Sequence, residues 1–599
     1  MHADALLPKG MARRAALLSA LGLGAAACGG GGGSSGGGDT LTVAAASPPV
    51  SPVSPPVSPA SPPVSPPVSP PPATPPPPAG PPPALNPSTA STDAARFLIQ
   101  ATFGPTAAEI NALAASSPAA WIEAQFNTAP IEKHFAYVTR ANGAYQSFAG
   151  SFWRQAVTGP DQLRQRMVFA LSEIFVVSNV NAIIAGGEVE YASAAYQDML
   201  AANCFGNFRT LLESVTRNVF MGLYLSHMRN QKEDPATGRI PDENYAREVM
   251  QLFTIGLWQL NPDGSRKKDS AGADIPTYGQ TEVGGMAKVF TGLSWGQTGA
   301  KAEQNFNYGP EHYDVPMEIF PQYVSTSAKQ IVGGVTIPAN TPGDESIRIA
   351  LDTLFNHANT GPFIGEQLIK RFVTSNPSRA YVGRVAAAFA NNGSGVRGDM
   401  KAVIRAVLLD AEARVASKVV VDDWGKLREP MIRFTAWMRG FGAKSSSGAY
   451  TVYMLEDPVD GLAQGPLAAP SVFNWFRPSY APQGVIAQRG EVAPEFQITH
   501  DTTVTGYARF MITVVSEGYA SGGDAIRPNY TTELSLASDS NALLDRLNLL
   551  LIAGRMTDAT RATIKGAVDA IPTTGDGPTR RVQTAIALSM LSPEFLVQK

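Results

Sequence analysis

From Ser47 to Pro87 the chain consists mostly of Ser-Pro-Pro-Val repeats and runs of proline, and ahead of it Gly29 to Gly38 is almost all glycine. Proline lacks the amide hydrogen that helix interiors and central strands require, and glycine has no side chain to bury, so neither tract can form a core. Glycine-rich sequence is flexible. Proline-rich sequence is extended at about 3.1 Å per residue, which makes the second tract a spacer on the order of 130 Å long. The repeats carry no flanking basic residue to orient them in a proline-binding groove, which favours a stalk over a ligand motif. Residues 28–91 therefore read as a disordered linker, and any core must come from residues 92–599.

The first 27 residues read as a secretory signal peptide. Lys9, Arg13 and Arg14 precede an apolar run from Ala15 to Ala27 that is too short for an ordinary membrane span and ends in small residues. Ala25-Ala26-Ala27-Cys28 resembles a lipobox, with Ala25 where a bulky residue is usual, so lipidation of Cys28 is expected. That predicts a lipoprotein tethered by its N-terminal lipid at the outer membrane or cell surface, with periplasmic or secreted fates as the alternatives. Arg13-Arg14 also resembles a twin-arginine signal without its usual flanks, leaving the export route open.

With 47 basic and 50 acidic residues, a net charge of −3, the chain offers no basic excess or local basic run, so nucleic acid is not an expected partner. Besides Cys28 the only cysteine is Cys204, in an apolar context beside Phe205, so packing must stabilise the domain and Cys204 reads as a small buried residue. Helical spacing recurs from Asp93 to Gln100, Ala107 to Ala114, Ala119 to Phe126, Tyr196 to Asn203 and Phe208 to Ser226. It continues from Glu282 to Phe290, Gly343 to His357, Gly361 to Val373, Ala380 to Asn391, Asp399 to Leu409 and Lys426 to Met438. Thr499 to Glu517, Asn541 to Leu550 and Arg580 to Leu591 complete it. A β-branched run from Gln330 to Ile337 predicts one small hairpin. The expected fold is mainly α: a large multi-helix region, one domain or two subdomains, with at most a small hairpin.

The richest segment runs from Pro241 to Leu257. Asp242 is a good N-cap, and Tyr245, Val249, Leu252, Phe253 and Gly256 form an apolar stripe. The other face carries Glu243, Asn244, Arg247, Glu248 and Gln251, with Glu243–Arg247 and Asn244–Glu248 at four-residue spacing. Such a face is either solvated or a site. The two glutamates lie roughly 140° apart around an ideal helix, so a catalytic carboxylate here needs its partner from another segment.

Asp161 to Val177 begins amphipathic and ends apolar on nearly every side, which buries Glu173. A buried carboxylate needs a partner or a raised pKa, and Arg166, seven residues earlier, is the nearest candidate; a structural ion pair and a desolvated catalytic acid both fit. Gly292-Leu293-Ser294-Trp295-Gly296 matches a nucleophile elbow in letters, but the helical run before it contradicts the strand such an elbow requires. Asn261 to Gly272 imitates part of a calcium loop, with Arg266 in place of its glycine and Gly272 in place of its bidentate acid. The histidines make no zinc-type pair, and only His312-Tyr313-Asp314 brings two ligand types together, so no metal and no cofactor is expected.

Arg96 to Pro105, Leu163 to Arg166, Phe205 to Arg209, Asp242 to Leu257, Phe290-Thr291-Gly292 and Val472-Phe473-Asn474-Trp475-Phe476-Arg477-Pro478 together resemble the bacterial family called domain of unknown function 1800, over essentially all of Asp93 to Lys599. The resemblance implies an exported, mainly helical protein and no assigned activity. Family members tend to show His-Asp followed by Gly and Lys, whereas this chain has His312 and Asp314 followed by Val315-Pro316-Met317.

Two functional expectations follow. One is an acid/base hydrolase or lyase on an extracellular polymer such as a polysaccharide. There Glu243 or Glu248 would work with Glu173 or Asp314, Arg247 and His312 would position charge, and Trp475, Tyr480 and Asn244 would hold substrate. The other is a non-catalytic envelope assembly or binding protein, displayed on the stalk for an exported protein partner.

Overall fold

The computed structural model describes residues 85, 87–180, 187–297, 305–308, 312–453 and 455–599. The signal peptide, Cys28 and nearly all of the glycine and proline tracts lie outside the described residues.

The chain is mainly helical. Its principal helices are α1 (Thr89–Ala101), α2 (Ala107–Ala114), α3 (Pro118–Phe126), α4 (Ser147–Thr158), α5 (Gln162–Ser172), α6 (Glu188–Asn203), α7 (Phe208–Thr216), α8 (Asn244–Gln251) and α9 (Gln280–Val289). They continue with α10 (Gly343–Asn356), α11 (Thr360–Phe372), α12 (Arg379–Ala390), α13 (Met400–Leu408), α14 (Pro430–Gly440), α15 (Asp501–Glu517), α16 (Ser540–Ile552), α17 (Asp558–Asp569) and α18 (Gly577–Leu591). Hydroxyl and acidic caps start several of them: Ser88 Oγ accepts from Ser91 N at 3.1 Å, and Asp399 Oδ1 from Lys401 N at 2.9 Å. One hydrophobic core runs from Ala94 to Phe595, through Trp153, Phe175, Tyr245, Ile347 and Trp437.

The β structure is small and scattered. Among the described residues four antiparallel sheets form: β1 (Leu293–Ser294) with β2 (Glu318–Ile319), β3 (Lys329–Gln330) with β4 (Thr336–Ile337), β5 (Lys426–Leu427) with a C-terminal β9, and β6 (Lys444–Ser445) with β8 beside β7. Here β7 is Tyr519–Ser521, β8 is Asp524–Arg527 and β9 is Val597–Gln598. The β3–β4 pair is the expected hairpin, with Lys329 opposite Ile337 and Gln330 opposite Thr336.

Several boundaries differ from their sequence reading, each for a local reason. The segment after Lys426 is not helix at first, because Lys426 and Leu427 pair with Gln598 and Val597; the helix begins at Pro430, where a missing amide hydrogen costs nothing. The expected helix from Phe208 to Ser226 breaks before Asn218, whose Oδ1 caps the amides of Phe220 and Met221 at 2.9 and 3.3 Å. The helix expected to reach Val177 stops at Ser172. Ser294 lies in β1, fully buried, and donates to Phe306 O at 2.6 Å, so no elbow is present. Cys204 is buried as expected, and burial pushes its thiol up to about 12.

Candidate functional site

Helix α8 starts one residue later than its sequence suggests, with Glu243 in place of Asp242 as its N-cap. Asn230 clamps Asp242 on both sides, accepting from its amide at 2.9 Å and donating to its carbonyl at 3.2 Å, while Asp242 Oδ1 caps Asn244 N at 2.8 Å. Those bonds hold Asp242 ahead of the cap and leave Glu243 as the N-cap, with Asn244 the first helical residue. At the other end Ile255 N and Gly256 N return to Met250 O at 3.0 and 2.9 Å, with Gly256 at φ +70°, so the helix ends at Gln251.

The inner face is anchored by Tyr245. Its hydroxyl meets Thr216 Oγ1 at 2.7 Å and its ring stacks on His227 at 3.8 Å. The His227 Nε2 lies 2.8 Å from Thr216 O, and burial lowers this imidazole to about 4, which keeps it neutral and makes Nε2 the donor. On the outer face Arg247 donates to Glu243 Oε2 at 2.6 Å and to Gln280 Oε1 at 2.9 Å, and Gln280 Nε2 returns to Glu243 Oε1 at 2.9 Å. Arg247 is thus committed to Glu243.

Glu248 is left without that partner. It is 9% exposed, and its Oε2 is buried with no hydrogen-bond partner among the described residues. Burial raises its pKa to about 7, Arg247 offsetting only part of the cost. Tyr224 and Tyr278 are close enough to feel its charge; both are raised to about 12, by burial first and Glu248 second. A carboxylate that is about half ionised at neutral pH, near two protonated phenols, is equipped for proton transfer. Asn244 is exposed and makes no hydrogen bond to Glu248 among the described residues.

A pocket of about 520 Å³ opens at the start of α8, walled by Ser226, Arg229, Asn230, Arg239, Ile240 and Glu243, among others. Ser226 and Arg229 both adopt left-handed backbone, at φ +63° and +64°, a strained state for residues other than glycine.

The remaining expected residues lie in other surroundings. Glu173 is fully buried, but Arg166 is not its closest cation: Arg371 Nε lies 3.5 Å from Glu173 Oε2, and Asn474 Nδ2 donates to Oε1 at 3.1 Å. Arg166 instead packs against the rings of Phe103, Phe169 and Phe372 and donates to Arg371 O at 3.2 Å. Burial and then the adjacent Glu429 carboxylate push Glu173 well above the usual carboxylate range. Glu429 goes the other way: burial opposes its charge, but Lys426, bonding with Glu173, and Arg166 outweigh it, leaving the pKa lowered. Lys426 sits 3.5 Å from Glu429 and 2.9 Å from Glu495, completing a closed ionic centre.

Asp314 is exposed and His312 half-buried. Asp314 lines a separate pocket of about 500 Å³ with Arg209, Arg217 and Arg348. All three arginines are already paired, Arg209 with Asp352 and Arg217 with Asp344, each at 2.7 Å, and Arg348 with Glu345 at 2.6 Å and Asp352 at 2.7 Å. Trp475 and Tyr480 are half-buried, next to the core residues Asn474 and Phe476. The structure therefore brings together Glu243, Arg247 and Glu248 on one short helix, and joins neither Glu173 nor Asp314 to them.

Sequence reasoning missed Ser226, Arg229, Arg239, Tyr224 and Tyr278 around the helix. Tyr224 and Ser226 fell at the end of the helix expected from Phe208 to Ser226 with nothing to single them out, and Arg229, Arg239 and Tyr278 lie outside the helices, where no periodicity marks them. Among the described residues, no group of three or more His, Cys, Asp or Glu is placed to hold a metal, and no helix is long and apolar enough to cross a membrane. No curated protein and no solved structure matches the chain. A family model matches residues 96–597, nearly the whole described region, so the chain belongs to the family of proteins of unknown function designated DUF1800.

Proposed function

We propose that this is an exported, surface- or envelope-tethered protein that acts by acid/base chemistry at Glu248 on an extracellular polymer such as a polysaccharide. One observation carries the reading: a nearly buried carboxylate, without a committed cation, whose pKa is raised to about 7 beside two protonated tyrosines. Elimination is favoured over two-carboxylate hydrolysis because Glu173 and Asp314, the other acids considered, lie in separate surroundings. Glu248 would take a proton from a sugar carbon beside a carboxyl group. The C–H electron pair would form the new C=C bond as the neighbouring C–O bond breaks, and Tyr224 or Tyr278 would protonate the departing oxygen. The lipobox-like Cys28 and the Gly/Pro-rich stretch support tethering at a distance from the membrane.

The test is to incubate the full chain and Glu248→Gln with a panel of neutral and acidic polysaccharides and follow new unsaturated ends by their ultraviolet absorbance. Turnover by the native protein that Glu248→Gln loses is expected. Equal turnover by both proteins removes Glu248 from the mechanism.

A second reading, a non-catalytic assembly or binding protein, is favoured by the same separation of Glu173 and Asp314 from α8. It is the reading that stands if no polymer in the panel is cut while a specific envelope protein is recovered by cross-linking.

A further inference from the structure

The geometry points to the pocket at the start of α8 as the subsite for an acidic sugar unit of the polymer, with Arg229 and Arg239 recognising its carboxylate; this deepens the acid/base reading of Glu248 and rests on it. Its volume of about 520 Å³ is within the range of small-molecule sites. Two arginines share its wall, and neither forms an ion pair among the described residues. Arg229 spends one hydrogen bond, 3.4 Å long, on Asn307 O, and Arg239 spends its Nε on Lys232 O at 2.9 Å, which leaves guanidinium donors on both.

Apolar surface adjoins these donors. Ile240 on the wall is 77% exposed, and Tyr308, one residue from the carbonyl that Arg229 reaches, is 86% exposed. A planar ring and an aliphatic patch beside fork-shaped donors suit a sugar ring that carries a carboxylate. The local anions do not remove that positive character. Glu243 is neutralised by Arg247; Asp234, held low first by the Thr237 hydroxyl and the Ala236 amide and less by Arg239, and the exposed Asp242 remain against Arg229, Arg239 and Lys232.

The wall is held in a costly conformation. Ser226 and Arg229 are both left-handed, and Asn230 between the pocket and α8 is pinned by its two bonds to Asp242. Strain of this kind persists only where the surroundings fix it, and it holds the backbone that carries Arg229 in one conformation. An acidic sugar also has what elimination demands, a C–H made acidic by the carboxylate next to it.

The experiment measures binding of the full chain carrying Glu248→Gln to polygalacturonate, to alginate, to methyl-esterified polygalacturonate and to dextran, by affinity electrophoresis. Binding to one or both polyuronates is expected, weakened roughly tenfold or more by esterification and by added salt. Arg229→Gln or Arg239→Gln should each produce a loss of similar size, and Tyr308→Ala, at an exposed position, provides a variant that leaves the fold untouched. Equal binding of charged and esterified polymer, unchanged binding in all three variants, or no binding to either polyuronate overturns the assignment. Cleavage by the native chain with unchanged binding in the variants would sink the pocket and leave the reaction standing. Carboxylate-dependent binding that the arginine variants lose, without cleavage by the native chain, would do the reverse.

Discussion

Asn474 donates a hydrogen bond from Nδ2 to Glu173 Oε1 at 3.1 Å, across 301 residues of sequence. Asn474 is itself held in left-handed backbone at φ +65°, a state that Asn and Asp tolerate better than most residues. Asn474→Asp therefore keeps the backbone and replaces a donor with an acceptor facing buried acids. The expected cost is about 2–4 kcal/mol at pH 8, with partial recovery at pH 5, where the new acid can take a proton. Urea midpoints at the two pH values check this; a pH-independent loss would assign the effect to packing.

In the same centre Glu173 and Arg371, 3.5 Å apart, should respond oppositely to substitution. Glu173 has its pKa raised, so the folded state keeps the proton that the unfolded chain releases near ordinary carboxylate pH. Its contribution to stability is full below that unfolded value and declines as pH rises toward the folded one. Glu173→Gln mimics the protonated form without the proton uptake that folding of the native chain requires, so it should raise stability at pH 7, with the gain fading as pH falls to the ordinary carboxylate range. Arg371→Met leaves buried acids uncompensated and should cost about 3–5 kcal/mol. Thermal or urea unfolding of the two variants decides it, and equal losses would contradict the assignment of a proton to Glu173.

Glu248 gives the clearest pH signature. Its folded pKa of about 7 exceeds the unfolded carboxylate value, so stability falls as pH rises between the two. Glu248→Gln removes that loss. Discounted for solvent screening, the gain is about 2 kcal/mol at pH 8 and close to zero at pH 5. A urea midpoint that rises only at the higher pH is the expected result. Activity, if an acidic polymer is the substrate, should rise through pH 7 as Glu248 ionises.

Gly285 of α9 lies against the hairpin strand β3. A Cβ at this position would fall 1.7 Å from Gln330 O, a backbone atom that cannot step aside. Gly285→Ala should prise α9 from the hairpin and cost about 3 kcal/mol or more, although the helix itself would gain from alanine. Folded yield and thermal unfolding measure the balance.

Cys28→Ser tests the tether. The native protein expressed in its own envelope should partition into detergent and incorporate labelled fatty acid, and the variant should do neither. Detergent partition unchanged by the substitution would rule out lipidation at this residue.

The helices were legible because their signals are local. A 3.6-residue apolar stripe, a hydroxyl or acid at the start and a glycine or proline at the end are properties of neighbouring residues, and Ala107–Ala114 and Met400–Leu408 follow them closely. Where a boundary slipped, a partner elsewhere in the chain was responsible: Gln598 drew Lys426 into a strand, and Asn230 held Asp242 ahead of the cap, which passed to Glu243. Of the site, the sequence determined that Glu243, Arg247 and Glu248 share one short helix, and that Glu243 and Arg247 can pair. Tertiary structure decided which carboxylate stayed unpaired. Gln280 on α9 completes the Glu243–Arg247 pair, and burial near Tyr224 and Tyr278 raises Glu248, while Glu173 is closed in with Arg371, Glu429 and Asn474. Charge pairing and desolvation depend on which surfaces meet in space, and spacing along the chain does not carry that information.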